Sequence, residues 1–192
     1  MQRILPDEVI STLAPLMDNA GEMPFDAVNR VLASELGNPK KYFSSFQVSP
    51  IASASLGQVH EATLLSGERV AVKVQREGLQ ASVQADLQTF RAINWALNKF
   101  YPSIDYAFLF PEFEVTIRRE LDFRQEAKNS TRVKRMFKDA PIVFVPKVIR
   151  STRKVLVMDF AEGFRISDLT SLKSHGIDPA RVARALIWAF GT

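Results

Sequence analysis

The sequence predicts an α+β fold: a small antiparallel sheet flanked by helices. Three observations support this. The apolar period changes from helical to two near Phe46 and returns to helical after Gln75. The strand-like runs come in pairs, each pair separated by a short polar turn. Hydrophobic residues make up 46% of the 192 positions, enough for a buried core in one domain or slightly more.

Taken in order, Pro6-Asp7-Glu8 opens a helix to about Asp18, with both acids where the helix dipole favours them. Asn19-Ala20-Gly21 ends it. A second helix follows Pro24, with Phe25, Val28, Val31, Leu32 and Leu36 on one stripe, and stops at Gly37. Gln58–Leu64 reads as a strand, Ser66-Gly67 as a hairpin turn and Arg69–Gln75 as the return strand. In that return strand Val70, Val72 and Val74 share one face, while Ala71, Lys73 and Gln75 share the other. Leu79 to about Phe100 is helical and is broken at Pro102. A further single helix is expected from about Pro111 to Phe137. Strands return at Val143–Val148 and Val155–Phe160, around a polar turn at Ser151–Lys154. Gly163 breaks the chain, and Asp178-Pro179 starts a final helix carrying Val182, Leu186, Ile187 and Phe190.

Composition narrows the function classes. With no cysteine and only His60 and His175, thiolate and histidine metal sites are disfavoured, and no residue is assigned to a metal. The net charge of +4 fits a phosphate-bearing ligand or an anionic membrane surface. Basic residues are interspersed with acids, which argues against nucleic acid as the partner. No run of about 18 apolar residues suggests a membrane span, and Met1–Pro6 lacks a signal-peptide pattern.

Four segments carry candidate chemistry, each with a plainer alternative. Lys73 lies mid-strand beside Ala71 and Gln75, as a phosphate-gripping lysine beside an adenine ring would; a lysine guarding an edge strand looks the same. Ile51–Gln58 is small and serine-rich, suited to close backbone approach to phosphate, yet has a single glycine, Gly57. In Glu120–Glu126, Asp122 and Glu126 would lie one turn apart, with Glu120 reaching Arg124 and Arg118 reaching Asp122 as a laced surface helix; alternatively, Glu126 meets Lys73 across the fold. Val155–Gly163 is a strand running into a short segment able to hold a purine edge, or merely a buried strand and turn.

In combination and order, these segments resemble the UbiB/ADCK (aarF domain-containing) atypical kinases over nearly the whole chain. The most specific pieces are Pro50-Ile51-Ala52-Ser53-Ala54-Ser55-Leu56-Gly57-Gln58-Val59-His60, then Val70-Ala71-Val72-Lys73-Val74-Gln75, then Glu120-Leu121-Asp122-Phe123 with Glu126-Ala127 and Asn129. Val145–Val148 and Val155–Met158 follow at matching spacing.

The resemblance implies a protein-kinase-like N-lobe. Residues 1–42 would form a family-specific helical extension, 43–163 the lobe and 164–192 the start of a second lobe. ATP would be the cofactor. Lys73 would hold its phosphates with Glu126 as partner; Ala52, Ser53, Ala54, Ser55 and Gly57 would form an alanine-rich lid over it. Ala71 would lie against adenine, and Asp159, Phe160 and Ala161 would form the hinge. Glu120 and Asp122 match a Glu-x-Asp motif that would restrain the cleft. It further implies a link to ubiquinone or prenyl-lipid metabolism, in mitochondria or plastids, or at a bacterial membrane.

Two departures stand out. The extension's Lys-x-Gly-Gln motif is missing upstream of Leu5–Glu8. The catalytic loop (His-x-Asp-x-His-Pro-Gly-Asn) and the metal-binding Asp-Phe-Gly, expected after the last helix, are also missing. The expectation is therefore a fragment, a truncated gene product or a naturally shortened form, in which magnesium belongs only to a full-length protein and the chain alone does not turn over ATP. The rival reading is a non-catalytic module that docks on a lipid surface or a partner.

Overall fold

A computed structural model gives the fold of residues 21–100 and 109–191. The helix expected from Pro6 and the break at Pro102 lie outside these residues. Helix α1 (Phe25–Leu36) leads through a 3₁₀ turn to strands β1 (Phe43–Phe46), β2 (Ala52–Ser53), β3 (Gly57–Leu64) and β4 (Arg69–Gln75). Helices α2 (Leu79–Phe100), α3 (Leu109–Glu120) and α4 (Phe123–Met136) follow, then β5 (Val148–Ser151), β6 (Val155–Asp159), α5 (Leu169–Ser174) and α6 (Pro179–Gly191).

The strands form one six-stranded antiparallel sheet in the order β1-β3-β4-β6-β5, with β2 also paired to β3. Alternation in β4 and β6 gives the sheet two different faces. Val70, Val72, Val74, Val155 and Val157 pack with Val28, Val31 and Leu32 of α1 in one core, which is continuous across position 42. Leu156 on the other face packs with Phe123 and Ala127 of α4. Each of these valines, fully withdrawn from water, stabilises the fold by about 1.5–3 kcal/mol, so α1 is held mainly by its apolar stripe. It stops where expected: Gly37 takes φ 75°, and its N–H donates to the Ala33 carbonyl at 2.9 Å.

Three expectations change. The single helix from Pro111 to Phe137 is two helices, α3 and α4, broken at Leu121-Asp122. Asp122 has an extended backbone and caps α4, its carboxylate accepting from the Arg124 N–H. The expected pairs Glu120–Arg124 and Arg118–Asp122 therefore do not form: Arg124 pairs with Asp122, and Arg118 with Glu114. The strand expected at Val143–Val148 begins only at Val148 and runs to Ser151. Pro146 has no N–H for a ladder, and the Lys147 N–H goes instead to the Asp159 carboxylate at 2.9 Å. Finally, β1, β2 and α5 were not expected; they span only four, two and six residues, too short for a period to register.

Candidate functional site

Lys73 stands on the α4 face of β4, opposite Val59 of β3 and Leu156 of β6. Its ammonium lies 2.6 and 2.9 Å from the two carboxylate oxygens of Glu126, fifty-three positions away, and 4.7 Å from the centre of the Phe123 ring. Glu126 can reach it because the start of α4 is pinned from three sides. Asp122 caps the helix. The Phe123 N–H donates to the Arg153 carbonyl in the β5–β6 turn at 3.0 Å. The fully buried Gln75, two residues from Lys73, donates from Nε2 to the Leu121 carbonyl at 2.9 Å. The helix break thus re-aims Glu126: a continuous helix would have left it on a laced surface.

A cleft of about 930 Å3 opens beside this pair, its lining including Lys73, Arg119, Glu120, Asp122, Glu126 and Asn129. That size is within the range of small-molecule sites. Two of its three carboxylates are answered, Glu126 by Lys73 and Asp122 by Arg124. The hydrogen bond from Arg124, with the charge of Arg153 behind it, holds the Asp122 carboxyl below the usual aspartate range despite some burial. Glu120 and Arg119 are exposed and have no ion pair among the described residues. Arg119 was not singled out from sequence; its only signal was adjacency to Glu120.

The remaining predicted residues fall along two lines from Lys73. Ala52 pairs with Val59, which pairs with Lys73, so all three point to the same face. Ser53 pairs with Gln58 and points to the opposite face, where its hydroxyl donates to the Gly21 carbonyl at 3.2 Å and lies 3.4 Å from the Arg76 guanidinium. Ala54 and Gly57 exchange backbone hydrogen bonds of 2.8 and 3.2 Å around an exposed Ser55. Gly57 is buried against β4, where an added Cβ would overlap the Val74 carbonyl oxygen. Its lack of a side chain is thus required by strand packing.

Along β4 in the other direction, Ala71 lies beside Met158 and is 8% exposed, and Val70 faces Asp159. Asp159 and Lys147 bond reciprocally, at 3.0 Å through backbone and 2.9 Å through the carboxylate. The Arg69 guanidinium sits 4.0 Å from the centre of the Phe160 ring and pairs with Glu61 and Glu162. Arg69 is a second residue that sequence reasoning missed. Ala161 is exposed.

Lys73 fixed to a helix glutamate over an antiparallel sheet is an arrangement that can be compared with known proteins. The family model described as the ABC1 atypical kinase-like domain matches residues 15–192. The chain belongs to this family. It is 35% identical over 96% of its length to "Probable serine/threonine-protein kinase abkD" of Dictyostelium discoideum, and 33% identical over 95% to "AarF domain-containing protein kinase 1" of Gallus gallus. It covers 27% and 36% of those proteins, so this ABC1 chain spans about a third of the curated relatives it matches. A solved structure, titled as the complex of Rv3197 with erythromycin from Mycobacterium tuberculosis, superposes with a TM-score of 0.71 at 34% identity, covering 85% of this chain and 42% of that one. The atypical-kinase resemblance seen in the sequence is therefore correct, and the α+β fold is that of the family.

Proposed function

We propose that this chain supplies the nucleotide-binding lobe of an ABC1-type atypical kinase or ATPase. The observation that carries the reading is the Lys73–Glu126 contact, made between β4 and α4 at 2.6 Å. An ammonium has three N–H donors, and two approach Glu126. One donor remains for a phosphate oxygen, on a side chain that is 21% exposed toward the cleft. Glu126 orients that ammonium.

The other proposed roles follow the two lines from Lys73. The turn Ala52–Gly57 is the lid, acting chiefly through Ala52 and the backbone of Ala54, Ser55 and Gly57, since the Ser53 hydroxyl is directed elsewhere. Ala71 is the floor for adenine, and the backbone of Asp159, Phe160 and Ala161 holds its edge. Glu120 and Asp122 restrain the mouth of the cleft. The cleft lining sets three carboxylates, Glu120, Asp122 and Glu126, against two cations, Lys73 and Arg119, which suits a metal-bound nucleotide better than a bare polyanion. Magnesium would neutralise the phosphates, held by residues of a full-length protein.

In this reading residues 1–42 are the helical extension, 43–163 the lobe and 164–192 the start of a second lobe. A role in ubiquinone or prenyl-lipid metabolism at an organellar or bacterial membrane belongs to the same proposal. No described helix is long and apolar enough to cross a membrane.

These 192 residues are assigned nucleotide binding alone, and none is named as a general base or metal ligand. The test is magnesium-ATP binding to the 192-residue polypeptide, expected to be weak and to be lost in Lys73→Ala. Magnesium-ATP binding that Lys73→Ala leaves unchanged would contradict this assignment.

A further inference from the structure

Helix α4 has a second face that the nucleotide reading leaves unused. Arg124, Lys128, Arg132 and Arg135 are spaced at i, i+4, i+8 and i+11, so they form one stripe. With Thr131, Ala127, Val148 and Ser151 they line a groove of about 600 Å3 between α4 and β5. Arg124 is answered by Asp122. Lys128, Arg132 and Arg135 have no ion pair among the described residues. Three cations without an ion pair among the described residues thus share one groove. Like charges at helical spacing repel each other unless an anion sits among them.

The groove's other wall is an open strand edge. β5 ends the sheet and pairs only with β6 among the described strands. Its outer N–H and C=O groups are available to a further strand. From Arg124 to Arg135 the helix rises about 16 Å, which matches about five residues of extended chain at about 3.3 Å each.

We propose that this groove binds an extended acidic segment of a partner protein. The segment adds its backbone to the edge of β5 and sets its carboxylates against Lys128, Arg132 and Arg135. The concavity and the strand edge favour a peptide over a bilayer, which would meet a flat or convex surface. The site is independent of the nucleotide reading, because Lys73 and Glu126 lie on the opposite side of α4.

The test is fluorescence anisotropy with a labelled hexaglutamate peptide on the 192-residue chain. Arms with vesicles of anionic phospholipid and with inorganic phosphate serve as competitors. The expected result is saturable binding that weakens with salt. It falls at least tenfold in the Arg132→Ala, Arg135→Ala double variant and stays unchanged in Lys134→Ala, an exposed cation of the same helix outside the groove. Hydrogen exchange should slow at the β5 amides on binding. Equal losses in both variants, competition by vesicles without peptide protection of β5, full displacement by phosphate, or no binding would each overturn the proposal.

Discussion

At the scale of single residues, two buried groups set testable limits. His60 is fully buried; its Nδ1 lies 2.9 Å from the Gln47 carbonyl, and its Nε2 has no hydrogen-bond partner among the described residues. In the neutral tautomer that fits, Nδ1 carries the proton and donates it to the Gln47 carbonyl. Burial lowers its pKa, outweighing the Gln47 carbonyl and the charge of Glu22, which act in the other direction. The sign follows from linkage: the unfolded chain takes up a proton near pH 6.5 while the fold resists it. Stability is therefore full above that pH and falls as pH drops below it, by up to about 1.4 kcal/mol per pH unit until the folded ring also protonates. Denaturant melts between pH 7.5 and 5 should show this slope, and His60→Gln should flatten it. At Gly57, substitution by alanine forces a methyl onto the Val74 carbonyl oxygen. The expected cost is about 1–3 kcal/mol, read as a lower urea midpoint with unchanged slope. A Gly57→Ala variant as stable as the parent would remove the packing explanation.

At the scale of elements, the decisive feature is the α3–α4 break, and it was not legible in the sequence. From Glu114 to Met136 no glycine or proline interrupts the chain, so local preference favours one continuous helix. The break comes from distant partners: Gln75 takes the Leu121 carbonyl and Arg153 takes the Phe123 N–H. Neither contact has a local sequence signal. The bounds of α2, by contrast, were read as Leu79 to Phe100 and are so, since a long Gly-free stretch between loops needs no distant help. Gln75→Leu should leave the Leu121 carbonyl unpaired in the interior and cost about 1–3 kcal/mol. Asp122→Ala removes the cap of α4 and should cost about 1 kcal/mol. Its pH signature is opposite in origin to that of a buried base: the Asp122 carboxyl is held low by Arg124, so its contribution is present above the ordinary aspartate pKa and is lost as pH falls through the lower folded value. Acid melts of Asp122→Ala should lack that component.

At the scale of the whole molecule, the sheet works as a ruler. One face is an apolar core with α1, and the other carries Lys73 with Ala71 two positions away, about 7 Å along the strand. This division was visible in the Val70-Ala71-Val72-Lys73-Val74-Gln75 alternation. The meeting of Lys73 with Glu126 was open from the residues alone, because a laced surface helix explained Glu126 equally well. What excluded that alternative was the break, which moved Arg124 to Asp122 and left Glu126 to the lysine. The direction of Ser53 was hidden for a related reason: it depends on pairing with Gln58, and a two-residue strand leaves no period to read.

In the proposed function Lys73, aimed by Glu126, grips nucleotide phosphates. The most direct measurement is the ratio of ATP to AMP affinity in the presence of magnesium, by titration calorimetry on the parent chain and on Lys73→Ala, Glu126→Ala and Lys134→Ala. The parent and Lys134→Ala should prefer ATP, and the preference should fall at least tenfold in the other two variants. An ATP-to-AMP ratio that is the same in all four chains would contradict that function.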